Sequence, residues 1–196
     1  MINHVWGLFA HPEPEMQQIK REHESVPHLY MHHVMLMAAI PVVCSFIGTT
    51  RIGWSFGGDE YLRVQPSTAL GIAVVFYLLM LGAVAVMGRV IHLLASRYPS
   101  RPSRNECIVF AGYVATPMFL SGVIALYPMV WLCLFVGALA LAYSGYLLAV
   151  GMPAFLGINR QEGMLIFGST LGIGVLVLEL LLALAVMMWG YGAHFF

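Results

Sequence analysis

Four histidines and a glutamate crowd into HESVPHLYMHH, residues 23–33, immediately ahead of a long apolar run. Imidazole and carboxylate are ligands for zinc and other first-row divalent ions, which structural sites hold with four such donors. The stretch is not a zincin motif. H-E-x-x-H needs its histidines at i and i+4 on one helix face, whereas His23 and His28 are one residue further apart, with Pro27 interrupting any helix that joined them. A pair with the right spacing is His28 with His32, on a helix that starts with Ser25 as cap and Pro27 in its first turn. His33 lies on a neighbouring face, and His23, Glu22 or Glu24 could fold back, which makes the group a candidate site for zinc or another divalent metal. The competing reading makes these rings and Tyr30 interface anchors at the headgroup level. It is preferred, because only one pair has ligand spacing.

Glu179 implies chemistry by position, since it falls near the middle of the last apolar run. An ionisable group there costs on the order of 2.5 kcal/mol or more to insert, so it must face protein or water. Counted at about 1.5 Å per residue, Ser121 reaches a similar depth and Tyr143 lies not far away. Glu179, Ser121 and Tyr143 are therefore a candidate intramembrane polar group. It would be a protonatable or ion-binding station on a route, or a hydrogen bond between helices. Positions 168, 172, 175, 179, 183 and 190 share a face and read Gly, Gly, Val, Glu, Ala, Gly. That glycine-rich face, with a GxxxG at Gly168 and Gly172, lets another helix approach and predicts a homo-oligomer. Arg89, three residues before His92, is a candidate for binding lipid phosphate, against simple snorkelling to the headgroups.

These residues must be positioned by membrane helices. Of 196 residues 60% are hydrophobic and 9% charged, against roughly 25% charged in soluble domains. The formal net charge is zero, which argues against nucleic acid as a partner. Five runs are long enough to cross the bilayer: about Val34 to Ile52, Thr68 to Ala95, Cys107 to Leu126, Met129 to Val150 and Leu165 to Gly190. The predicted class is all-α and polytopic. Residues 1–33 form a cytoplasmic or interfacial segment, 34–190 the five-span domain and 191–196 a short outside tail. Val5, Trp6, Leu8 and Phe9, clustered before Pro12, predict an interfacial helix that lies on the inner leaflet or packs on the spans from below.

Lys20, Arg21, Arg97, Arg101, Arg104 and Arg160 fall on one side of the spans, and only Arg51 and Arg63 on the other. The positive-inside rule puts the N-terminus in the cytoplasm and, with an odd number of spans, the C-terminus outside. Trp54, Trp131 and Trp189 come near the predicted outer ends, as an aromatic belt requires. Cys44, Cys107 and Cys133 lack CxxC spacing and read as free thiols in apolar surroundings. The first 25 or so residues lack the h-region and cleavage site of a signal peptide.

Within the third run, AGYVATPMFLSG resembles the Yip (Ypt-interacting protein) family, whose Gly-Tyr-x-x-x-Pro pattern is met by Gly112, Tyr113 and Pro117. The leader VWGLFAHPEPEMQQI looks like that of bacterial members, as do GLFAHP, FIGTT, VMGRVI, FAGYVATP and GVLVLE. The resemblance implies five spans with a cytoplasmic N-terminus in a bacterial inner membrane. Eukaryotic relatives carry an Asp-Leu-Tyr-Gly-Pro stretch and work with small GTPases; that stretch is absent here, so the resemblance implies a fold more than an activity. Pro117, and Pro41 in the first run, each remove a helical hydrogen bond, which suits a cavity lining or a plain packing feature.

No P-loop, dinucleotide fingerprint or nucleophile elbow occurs, so the chain does not read as an enzyme. Two functions are expected. One is binding or passage of a small solute or ion through the bundle, with Glu179 as its acid. The other is a scaffold or adaptor that binds lipid or partner proteins through the N-terminal segment.

Overall fold

The computed structural model describes residues 2–55, 57–58 and 61–192, those at 2–3, 160–162, 185–186 and 188–192 by backbone alone. A helix satisfies its own backbone polar groups, which is what a bilayer demands. Among the described residues five helices are long and apolar enough to cross: Val26–Ile52, Pro66–Ala95, Arg104–Leu126, Val130–Leu156 and Gly163–Leu184. They are the first to fifth spans, and the fifth lies within a helix running Arg160–Gly192. Two short helices precede them, α1 (Ile2–Ala10) and α2 (Pro12–Arg21).

The first span begins at Val26 rather than Val34, so three of the four clustered histidines lie inside it. Pro27 sits in its first turn, where a missing N–H leaves no bond unmade. Ser25 holds the N-cap position, but its side chain makes no capping bond. The third span begins at Arg104 rather than Cys107 because Ser103 and Glu106 form a capping box. Ser103 Oγ accepts from the Glu106 N–H at 3.2 Å, and Glu106 Oε2 accepts from the Ser103 N–H at 2.7 Å. The fourth span continues past Val150 to Leu156 and stops at Gly157, whose φ of 69° suits glycine.

Spans of 27 and 30 residues exceed the roughly 20 needed to cross hydrocarbon, by about 10–15 Å of helix. The surplus builds one end of the bundle. A Cβ at Gly157 would lie 3.9 Å from both Lys20 Nζ and Ser100 Cβ. The N-terminal helices, the second-to-third link and the fourth-to-fifth link therefore meet at this basic end. At the opposite end the Ser55 N–H donates to Pro128 O and the Val130 N–H donates to Ser55 O, each at 3.0 Å. Those bonds tie the first-to-second link to the hairpin between the third and fourth spans. Trp131 stands exposed at this end, and the side chain of Trp189 lies outside the described ones.

The third span is the centre of the bundle: 56% of its apolar window is buried, against 11% for the second and fifth. Small residues let the neighbours close on it. A Cβ added at Gly122 would overlap Pro41 of the first span, and one at Gly112 would come within 3.0 Å of Leu29. The helix is interrupted at Ala115 and restarts with Pro117 in its first turn. Pro41 is thus the residue against which Gly122 packs, and Pro117 is buried in the restarted helix. Cys44, Cys107 and Cys133 are all free thiols.

Candidate functional site

The site lies at the basic end, where α1 and α2 fold into a hairpin against the spans. Pro12 cannot donate the bond that would extend α1, so the chain reverses at His11 and restarts. α2 carries Glu13 and Glu15 in its first turn and Lys20 and Arg21 in its last, both favourable to its dipole. Leu8, Met16 and Ile19 turn inward and are fully buried, while Trp6 remains 75% exposed and Phe9 42%.

Polar side chains fasten this hairpin. His4 Nδ1 lies 2.5 Å from Glu15 Oε1, and its Nε2 lies 3.4 Å from Glu22 Oε2. Glu24 bridges onward: its Oε2 accepts from the Tyr113 hydroxyl at 2.8 Å, and its Oε1 lies 2.7 Å from His28 Nδ1. Tyr113 is thus the hub, its ring 4.6 Å from that of His33 and 6.3 Å, edge-on, from that of His4. The Tyr143 hydroxyl donates to Leu8 O at 2.9 Å, and its ring stacks on Phe9 at 5.0 Å. That bond satisfies one of the carbonyls left open at the end of α1.

His33 is only 1% exposed and shares a 2.9 Å hydrogen bond between its Nε2 and Thr116 Oγ1. Thr116 itself donates to Gly112 O at 3.5 Å. The other ring nitrogen of His33, Nδ1, is buried and without a protein partner among the described residues. Thr116 stands about one turn beyond Tyr113, just after the break at Ala115.

The predicted metal ligands do not converge. His28 and His32 stack their rings 4.3 Å apart on the exposed face, and His32 Nδ1 lies 3.2 Å from His28 O. His33, about 100° further round the helix, points into the bundle, and His23 sits in a turn with φ 47°. Among the described residues no group of three or more His, Cys, Asp or Glu could hold a metal ion. The i, i+4 spacing pairs His28 instead with Glu24.

The intramembrane trio is also dispersed. Glu179 lies on the exposed outer face of the fifth span. Ser121 Oγ donates within its own helix to Met118 O at 2.7 Å, and Tyr143 reaches α1. Depth counting fixes height along a helix but not rotation about it, and rotation separates these three. Gly168 and Gly172 are outward as well, with nothing within 4 Å of where a Cβ would stand, whereas position 190 lies outside the described side chains. Arg89 is exposed on the second span.

Sequence reasoning missed His4 and Glu15. The available signal was His11-Pro12, because a break there folds the residues on either side against one another.

A family model described as the Yip1 domain matches residues 6–191. Two relatives, each described as "Inner membrane protein YohC", come from Escherichia coli strain K12 and from E. coli O6:H1 strain CFT073. Each is 62% identical over 195 residues, with 100% of both chains covered. No solved structure matches.

Proposed function

Because the chain belongs to the Yip1 domain family, we propose that it is an integral multi-pass inner-membrane scaffold whose docked N-terminal hairpin is its working surface at the inner leaflet. The observation that carries this reading is the Tyr113–Glu24 hydrogen bond. It ties a residue of the family pattern to the segment that fastens the hairpin, while Trp6 and Phe9 stay exposed on the outside of α1. An indole and a phenyl ring on a short helix at this level suit the boundary between headgroups and acyl chains. Arg89, exposed on the second span, supplies a charge for lipid phosphate.

The basic end is assigned to the cytoplasm by its six lysines and arginines against two at the other end, which puts the N-terminus inside and the C-terminus outside. Passage of a solute or ion through a single bundle drew on an interior Glu179; that side chain is exposed on the outer face of the fifth span, which favours the scaffold reading.

The test uses full-length protein in nanodiscs with Trp54, Trp131 and Trp189 changed to Phe, leaving Trp6 as the only reporter. Quenching of its emission by lipids brominated near the headgroup supports the reading. Water-exposed emission without quenching overturns it. Solute uptake lost on Glu179→Gln would restore passage.

A further inference from the structure

The fifth span presents a second feature that the N-terminal hairpin does not use. Its inward face is held by neighbours: Gly174 approaches Met87 of the second span and Gly145 of the fourth approaches Leu171, both at 3.5 Å from where a Cβ on the glycine would stand. The opposite face carries Gly168, Gly172 and Glu179. Glu179 lies seven positions after Gly172 and eleven after Gly168, which at about 100° per residue puts all three on one stripe. Glu179 makes no hydrogen bond or ion pair among the described residues, and its neighbours Leu176 and Leu180 are 63% and 60% exposed. Lipid tails offer a carboxyl nothing to bond with.

We propose that this face is the interface between two copies of the chain, with the two Glu179 carboxyls hydrogen-bonded to each other across a two-fold axis along the membrane normal. Three physical facts select a second copy as occupant. A carboxylic acid carries a donor and an acceptor on adjacent oxygens, so it complements itself. All copies insert the same way up, so Glu179 of one always stands at the depth of Glu179 of another, and an isologous contact brings like to like. The two glycines, open toward the same side, let the helix backbones approach closely enough for the carboxyls to meet.

The experiment uses full-length protein in native membranes, with Cys44, Cys107 and Cys133 changed to Ala and a thiol introduced by Leu176→Cys, one turn beyond Gly172 and exposed on the same side. A Leu134→Cys variant, on the lipid-facing side of the fourth span, is the control. Oxidation should give a dimer from the first and not from the second. Adding Glu179→Leu should cut the dimer about three- to tenfold, the range expected for one interhelical hydrogen bond. Glu179→Gln, whose amide also donates and accepts, should retain it. If Glu179→Leu fails to accumulate, Gly168→Ile should give the same loss through steric exclusion. Equal crosslinking at positions 176 and 134 would overturn the proposal, as would a dimer indifferent to Glu179→Leu or Gly168→Ile. Crosslinking to a different protein alone would also overturn it.

Discussion

The hydroxyl of Tyr113 donates to a carboxylate oxygen of Glu24 at 2.8 Å, joining positions 89 residues apart. Tyr113→Phe removes the hydroxyl and leaves that oxygen without its protein donor. The expected cost is about 1–3 kcal/mol, the penalty for stranding a part-buried acceptor. A lowered melting temperature in detergent, with faster proteolysis near residue 22, would report release of the hairpin. Unchanged proteolysis would show that the hairpin is held without this bond.

His33 and Thr116 form a buried pair, so the single and double substitutions should not add. Thr116→Val strands the ring nitrogen that Thr116 served and should cost about 1–3 kcal/mol. His33→Leu combined with Thr116→Val removes both polar groups and should recover part of that loss. A double-mutant cycle by denaturation in mild detergent measures the coupling; strict additivity would contradict the hydrogen bond.

Glycines on the two sides of the bundle should respond in opposite directions. Gly122→Ala pushes a methyl into Pro41 and should lower stability, whereas Gly137→Ala enters open space. The second change should be neutral or stabilising by up to about 1 kcal/mol through helix propensity. Melting temperatures of the two variants, measured side by side, decide this.

The histidine cluster should not behave as a metal centre. Purified protein and a His28→Ala, His32→Ala variant are expected to bind the same amount of zinc by titration. Chelation should leave the melting temperature unchanged, because among the described residues no group of three or more His, Cys, Asp or Glu could hold the ion. Stoichiometric zinc lost in the variant would contradict the observed arrangement.

The membrane class, the five spans and their order were legible in the sequence because each depends on local quantities. Twenty apolar residues satisfy their own backbone bonds wherever they stand, and a short link such as Tyr127-Pro128 permits only a hairpin. The family pattern was legible too, at Gly112, Tyr113 and Pro117. Span ends were less so: Val26 and Leu156 lie beyond the expected boundaries because hydropathy marks the hydrocarbon, while helices continue past it when other helices cover them.

What only the tertiary structure decided is which way each polar side chain faces. Periodicity groups residues that share a face, but it cannot say whether that face meets a neighbour or lipid. So Glu179 and the two glycines kept their common stripe and turned outward, while Tyr143 left its expected partners for Leu8. His4, Glu15, Glu24 and Tyr113 are distant along the chain, and they met because α1 and α2 fold back on the surplus length of the spans. Helix rotation and long-range docking are set by packing over the whole bundle, which no stretch of local sequence encodes alone.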